Sequence, residues 1–437
     1  MILEFSFSNF GPVHDRVTLS FEATNDDTLG SYYITKLPDG TRVLKLGIIY
    51  GPNASGKTNI LNALQMLRDL VLKPLDQKTD PIRYHKHKLG TAVEEDTRFN
   101  LTFYLDEIKY DYDIVFNNQF IRREVLNYYP KNKKALFYER EYDGKVSTIE
   151  FGSTLENIQA QDTRNLEANT IKNVTVMGAY SKTNVSIPIL DSLIGWFDNN
   201  FLPIISPEDK ENLFSWTSGI IDRGVIQKKQ VVEFLKNADL NITDLNIVED
   251  EISISDQMLE KIEQMPIPDE AKREIKERKK LKSLDVEFLH EFKGQGSEKL
   301  TMTLPKEEES NGTRRYFQLV GPLLMALKSN SFLFIDEIET SLHPDLLEQL
   351  VVNFLENSDF AQLLFTTHNI SLLTRRDILR NDAIWFTEKN EKGATDLFSL
   401  SDFKSDKIRK TSSIFNAYDL GKLGAKPKTK PVTFTDG

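Results

Sequence analysis

The sequence predicts an α/β fold: a mixed, largely parallel sheet flanked by helices, with a mainly helical module inserted into it. Three observations predict it. The apolar run Leu46–Tyr50 enters a glycine-bearing loop that leads straight into an amphipathic helix. Short buried strands alternate with helices across the last third of the chain, the pattern of a parallel sheet covered on both faces. Between about residues 150 and 295 that alternation gives way to polar, helix-patterned sequence. With 437 residues, 39% of them hydrophobic, 28% charged and 27 of them Phe, the chain is long enough for two or three domains. We expect a lobe over 1–150 carrying the loop, an insertion over 151–295 and a second lobe over 296–437.

In order along the chain, Leu3, Phe5 and Phe7 alternate, as do Val17, Leu19 and Phe21, predicting two strands around the Gly11-Pro12 turn. Residues 43–50 read as one buried strand. Ile60, Leu61, Leu64, Leu67 and Val71 recur at helical spacing and predict a helix over 58–72. Successive strands are expected at 99–105, 110–116 and 120–126, the first two joined by Asp106-Glu107. Within the insertion, Ile187, Leu190, Leu193, Ile194 and Phe197 fit one amphipathic helix, and Val231, Val232, Phe234 and Leu235 fit another starting near Gln227. A charged helix is expected over 270–282, after the turn-like Pro266-Ile267-Pro268. Helices at 316–327 and 346–355 then alternate with strands at Phe332–Ile335, 362–365, 383–386 and 397–400. Residues 421–437 hold too little apolar material for a substantial element and predict an extended tail.

The composition excludes several chemistries. Without Cys there is no disulfide, thiolate or cysteine-zinc site, and the six His form no i,i+4 metal pair. No apolar stretch approaches the roughly 18 residues of a membrane span, and MILEFSFSNF lacks the features of a signal peptide, so no membrane association and a cytoplasmic location are expected. A net charge of −11 argues against a protein that coats nucleic acid over its whole surface. Local basic clusters remain. One gathers Lys272, Arg273, Lys276, Arg278, Lys279, Lys280 and Lys282, and another runs from Lys404, Lys407, Arg409 and Lys410 to Lys422, Lys426, Lys428 and Lys430. Each reads either as a solvated face or as a patch for a partner or nucleic acid.

GPNASGKT at 51–58 matches the phosphate-binding pattern G-x-x-x-x-G-K-[ST] at every fixed position. In such a loop backbone N–H groups turn inward around phosphate and the positive end of the next helix faces the anion. Lys57 reaches the terminal phosphates, and Thr58 offers a hydroxyl to Mg²⁺. Gly51, Asn53, Ser55, Gly56, Lys57, Thr58 and Asn59 are therefore candidate ATP-binding residues. The strand Phe332–Ile335 delivers Asp336, whose carboxylate can hold Mg²⁺ through water, and Glu337 is the candidate general base for the attacking water. Alone, an acid pair after four apolar residues is an ordinary surface turn; beside a phosphate loop it reads as the other half of an ATP site. A strand ending in Thr366-Thr367-His368 brings His368 to the same sheet edge, where neutral imidazole can link γ-phosphate, water and backbone. Its ordinary alternative is a local cap. Ser310 and Gly312 precede a helix expected from about Thr313 and offer a hydroxyl, N–H groups and a helix dipole to an anion. Since the first site already has its own phosphate loop, this second surface suits ATP held by another subunit, which predicts two chains paired head to tail.

Together FSNFGPVHDRVTLSF, GPNASGKTNILNAL, ESNGTRR, FIDEIETSLHP, LLFTTHN, IWFTEKNEKGATDLFSLSDF and YDLGKLGA resemble the ABC-type ATPase heads of the Rad50/SMC/RecF/OLD group. The likeness is greatest to the AAA15/AAA21 (RloA-like, AriA-like) ATPases of prokaryotic anti-phage defence. It covers both ends of the chain, and within 150–295 only FLKNADLNITDLNI shares it. The resemblance implies a P-loop NTPase with an ABC-type head, ATPase activity, and ATP and Mg²⁺ as ligands. By the same resemblance Lys57 and Thr58 are Walker A residues, Asp336 and Glu337 Walker B, Ser310 and Gly312 the signature, 341–344 the dimer-facing D-loop and His368 the switch histidine. The usual signature L-S-G-G-Q is replaced by ESNGT, which keeps the serine and one glycine; Gln77 and Gln119 are both Q-loop candidates.

The same resemblance implies a homodimer or higher homo-oligomer that controls a separately encoded effector protein, a nuclease, with a phage-derived or DNA trigger. With so little sequence after its motifs, no nuclease domain of its own is expected. The alternative expectation is a RecF/Rad50-like DNA-binding clamp of genome maintenance. A transporter ATPase fits least, because the large insertion replaces its short coupling region.

Overall fold

The computed structural model describes residues 1–88, 95–153, 155, 158–238, 240–253, 255, 259, 273, 276–294, 299–403 and 414–426. In chain order the first elements are β1 (Ile2–Ser8), β2 (Val17–Ser20), α1 (Gly30–Tyr33), β3 (Ile34–Lys36), β4 (Arg42–Leu44), β5 (Leu46–Tyr50) and α2 (Lys57–Leu72). There follow β6 (Thr97–Leu105), β7 (Ile108–Phe116), β8 (Ile121–Tyr128), β9 (Ala135–Tyr142), β10 (Ser147–Phe151), α3 (Ala160–Asn169), α4 (Val176–Tyr180) and α5 (Pro188–Asn199). The middle of the chain forms α6 (Lys210–Asp222), α7 (Lys228–Asn237), β11 (Ile242–Ser253), β12 (Lys280–Lys293), β13 (Lys299–Pro305) and α8 (Asn311–Ser329). Last come β14 (Phe332–Ile335), α9 (Pro344–Asn357), β15 (Gln362–Thr367), β16 (Ile384–Lys389), β17 (Thr395–Ser399) and α10 (Ile414–Asp419). The chain forms two compact units, the first from 1–206, 326–339 and 350–437, the second from 207–325 and 340–349.

Two large sheets build the first unit. The antiparallel one has the order β10-β9-β8-β7-β6-β1-β2. Its apolar face is aromatic: Phe5, Phe7 and Phe99 are buried, with the rings of Phe5 and Phe99 5.7 Å apart. Asp106 and Glu107 both take positive φ, 48° and 65°, so a two-residue turn closes the β6–β7 hairpin with the twist its strands require. The other sheet has the order β14-β15-β5-β16-β17. Its first four strands are parallel, and β17 runs back along β16. Every residue of β5, β14 and β15 is buried, as expected for strands covered on both faces. Parallel pairing brings the C-terminal ends of these strands to one edge, the usual place for a ligand site in such sheets.

Where one strand is expected over 43–50, the chain instead changes sheets at Lys45. β4 pairs with β3, whereas β5 enters the parallel sheet between β15 and β16. Lys45 is buried at the break and its ammonium donates to the Ser358 carbonyl. β9 and β10 extend the antiparallel sheet beyond the three strands expected there.

The second unit holds α6, α7 and a three-stranded antiparallel sheet, β11-β12-β13. Its core includes Phe214, Phe288 and Phe317, with ring centroids 4.8 Å apart for Phe214–Phe317 and 5.5 Å for Phe288–Phe317. Of the helices expected within 151–295, α7 lies in this unit beside the unexpected sheet, whereas α5 belongs to the first unit. Of the charged helix expected over 270–282, residues 270–272 and 274–275 lie outside the described residues, as does the preceding 266–268 turn. Its end is corrected: 280–282 belongs to β12, where Lys280 pairs with Ser253 and Lys282 with Glu251. Period-two burial of Val286 and Phe288 sets the strand. Lys272 and the basic residues 404, 407, 409, 410, 428 and 430 also lie outside the described residues, and the expected tail is described only to residue 426. No described helix is long and apolar enough to cross a membrane.

Candidate functional site

The glycine loop leaves β5 and turns into α2 through two left-handed residues, Ala54 (φ 61°) and Gly56 (φ 108°). Gly56 caps α2 without any side-chain acceptor, so the positive end of the helix is presented by backbone alone. Both pattern glycines are required by close approach. A Cβ on Gly51 would lie 2.3 Å from Thr387 Oγ1 and 2.7 Å from the Thr387 carbonyl, and one on Gly56 would lie 2.5 Å from Thr395 Oγ1. The two threonines also hold Ser55, whose hydroxyl is 2.6 Å from Thr387 Oγ1 and whose carbonyl accepts from Thr395 Oγ1 at 2.6 Å. Asn53 is exposed in the loop; Asn59, in the first turn of α2, packs its amide against Gly11.

Lys57 is buried. Its ammonium donates to the carbonyls of Gly51 (2.9 Å) and Pro52 (3.3 Å) and lies 2.9 Å from His368 Nε2. Burial lowers the Lys57 pKa, opposed in part by the charges of Asp336, Glu337 and Glu339. Burial, and then the Lys57 charge, lower that of His368 against the same three carboxylates. Neutral imidazole at physiological pH follows, with Nε2 accepting from Lys57.

Asp336 sits between two hydroxyls: Thr58 Oγ1 donates to Oδ2 at 2.8 Å and Thr366 Oγ1 to Oδ1 at 2.5 Å. Thr366 Oγ1 in turn accepts from the Glu337 N–H at 2.8 Å. Glu337 adopts φ 45°, which bends the chain back so that Glu339 Oε1 accepts from the His368 N–H at 2.6 Å. The structure therefore brings together Lys57, Thr58, Asp336, Glu337 and His368 at the edge of the parallel sheet. A hydroxyl bonded to a carboxylate is a hard-oxygen donor pair of the kind Mg²⁺ uses alongside substrate phosphates. Among the described residues no group of three or more His, Cys, Asp or Glu is placed to hold a metal. Sequence reading missed Thr366, Thr387, Thr395 and Glu339; all four lie in stretches quoted for their neighbours, and none occupies a fixed motif position.

In the second unit Ser310 caps α8, its hydroxyl accepting from the Thr313 N–H at 3.0 Å. The helix begins at Asn311, two residues before the expected start. A Cβ on Gly312 would meet the Ser341 carbonyl at 3.4 Å and Ser310 Oγ at 3.6 Å, ordinary contact distances. Glu309, the first residue of ESNGT, is buried and hydrogen-bonded to the buried His290 of β12. Of the two Q-loop candidates, Gln77 lies in the loop after α2, its carbonyl accepting from Asn173, and Gln119 lies in the β7–β8 turn.

The family model described as "AAA domain, putative AbiEii toxin, Type IV TA system" matches residues 47–374, from β5 past His368 and well over half of the chain. The chain belongs to this family. It is a P-loop ATPase that binds and hydrolyses ATP. No curated protein matches the ATPase. Among solved structures, it is similar to an SMC head bound to the C-winged helix domain of ScpA, at 13% identity over 93% of this chain and 99% of that one, with a TM-score of 0.44. It is also similar to the SMC head domain from Thermotoga maritima, at 14% identity over 91% and 98%, TM-score 0.36. A third is the Smc head domain with an extended coiled coil, bound to the C-terminal domain of ScpA derived from Pyrococcus furiosus, at 13% identity over 97% and 99%, TM-score 0.36.

Proposed function

We propose that this ATPase is a cytoplasmic, homodimeric switch that closes around ATP and controls a separately encoded effector, a nuclease, in anti-phage defence. The meeting of Lys57 with His368 and of Thr58 with Asp336 at one sheet edge carries the reading. The family's description as a toxin of a toxin–antitoxin system supports a defence setting.

Backbone N–H groups of Gly51, Asn53 and Gly56 would face the phosphates at the N-terminus of α2, with Ser55 and Asn59 holding the loop through their N–H bonds to the Pro52 and Gly56 carbonyls. Phosphate oxygens would replace the Gly51 and Pro52 carbonyls and His368 Nε2 as acceptors for Lys57, which would leave the His368 lone pair free to accept from the attacking water. Glu337 takes that water's proton. Thr58 and Asp336 would hold Mg²⁺, which would supply charge to neutralise the phosphates. Ser310 and Gly312 of a second copy present a helix N-terminus to the γ-phosphate, so that ATP joins the two chains.

Two substitutions and one capture experiment test this. Lys57→Ala loses nucleotide binding, whereas Glu337→Gln keeps it and loses turnover by about 10²- to 10⁴-fold. The Glu337→Gln protein with ATP retains the product of a neighbouring nuclease gene, and wild type with ADP does not. If no protein binds in either state while duplex DNA alone speeds turnover, the RecF/Rad50-like clamp replaces the effector reading.

A further inference from the structure

We propose that Glu339 is a positioning residue for ATP hydrolysis, fixing the backbone of His368 in register with the Asp336-Glu337 pair. The proposal rests on the roles given above to Glu337 and His368. Three hydrogen bonds from backbone N–H groups tie the turn after β14 to the end of β15. The Glu337 N–H donates to Thr366 Oγ1 at 2.8 Å, the Ile338 N–H to the Thr366 carbonyl at 3.2 Å, and the His368 N–H to Glu339 Oε1 at 2.6 Å. The first two act at Thr366, still within the strand. Only the third reaches the residue that carries the imidazole, one step beyond the strand, where the sheet ladder no longer fixes the chain. A carboxylate bonded to a backbone N–H is about twice as strong an acceptor as a neutral group, so Glu339 is suited to hold that position.

The other oxygen argues against a purely local cap. Glu339 Oε2 is buried with no hydrogen-bond partner among the described residues. Burying an unpaired carboxylate oxygen is unfavourable, and a serine cap would satisfy one N–H without that penalty. Its charge adds to those of Asp336 and Glu337 beside Lys57 and His368, but the positioning role rests on the reach of the side chain to the residue 368 N–H. Moving the imidazole by about 1 Å relative to base and water would cost up to about 100-fold in rate.

The test compares Glu339→Ala, Glu339→Asp and Glu339→Gln in the full chain by ATP affinity and turnover. The expected result is a kcat lowered about 10- to 100-fold in the Ala and Asp variants, with ATP affinity within about twofold of wild type. Aspartate keeps the charge but is one methylene too short to span to residue 368. The Gln variant, whose amide oxygen still reaches the N–H, keeps kcat within about threefold. Wild-type kcat in the Ala variant, a Gln variant as slow as Asp, or affinity falling in step with kcat would each overturn the role. If the Ala variant does not fold, the Asp and Gln pair decides alone. Glu337→Gln measured alongside separates the two readings. Turnover retained there removes the general base on which this proposal rests; turnover lost there but normal in Glu339→Ala removes only the positioning role.

Discussion

Lys57 and His368 face each other at 2.9 Å as two bases, both with pKa values lowered by burial. For a base the sign is direct: between its ordinary pKa of 6.5 and its lowered value in the fold, His368 stays neutral while the unfolded chain takes up a proton. The stability this contributes is present above that window and is lost as pH falls through it. We therefore predict that turnover stays level from about pH 8 down to 6.5 and falls only below, once imidazolium forms beside the Lys57 ammonium. In His368→Gln that acid limb disappears and kcat drops about tenfold or more. An acid limb beginning above pH 6.5 in the wild type would contradict the assignment, and a pH series of single-turnover rates measures it. The residues of this site were legible where chemistry demands one residue type at a fixed spacing, as at Lys57, Thr58, Asp336 and Glu337. Thr387 and Thr395 were not, because they meet Ser55 across 332 and 340 residues of chain and carry no spacing of their own.

At the level of elements, sequence periodicity revealed the strands whose burial alternates or is complete, and missed those whose partners compensate for polar sequence. β11 and β12 are rich in Asp, Glu and Lys, yet each pairs along most of its length, and the short apolar alternation that sets β12, Val286 and Phe288, is obscured by the charged residues around it. The antiparallel sheet also carries a buried polar network. Glu124 is fully buried and accepts from the hydroxyls of Tyr112 (2.9 Å) and Tyr138 (2.6 Å) and from the Val176 N–H (2.8 Å), binding β7, β8 and β9 to α4. Glu124→Ala leaves three buried donors without an acceptor, and we predict a loss of about 3 kcal/mol or more in a urea titration. Tyr112→Phe removes one donor and leaves both Glu124 oxygens bonded, by Tyr138 and the Val176 N–H, and costs about 1 kcal/mol. Equal effects from the two would show that side-chain volume, not hydrogen bonding, sets the stability there. Gly51→Ala tests the other sheet. Its methyl would press on the Thr387 carbonyl at 2.7 Å, a backbone atom that cannot turn aside, so the loop must open and nucleotide affinity falls along with about 1–3 kcal/mol of stability.

For the whole molecule, the phosphate loop, Asp336 and His368 lie in the first compact unit, while Ser310 and Gly312 lie in the second. If the second unit serves the ATP of another copy, a change at Gly312 separates folding from assembly. Gly312 is in the first turn of α8, where its missing Cβ has room: the nearest atoms stand at 3.4 and 3.6 Å. Replacing a helical glycine favours the helix by up to about 1 kcal/mol, and an acid in the first turn adds about 0.3–1 kcal/mol through the helix dipole. Gly312→Asp should therefore fold at least as well as wild type and still bind ATP through its own loop, since Lys57 and its partners are unchanged. What it loses is the attraction of that helix end for a second copy's γ-phosphate, because the new carboxylate repels the anion. We predict that Glu337→Gln with ATP sediments as a dimer, and that Glu337→Gln combined with Gly312→Asp sediments as a monomer with ATP bound and an unchanged melting temperature. Adding unlabelled Lys57→Ala chains, which offer an intact Ser310-Gly312 surface but no ATP, should give half-occupied pairs with the double variant. A double variant that still dimerises alone with ATP would rule out the head-to-tail arrangement and leave the second unit free for some other partner.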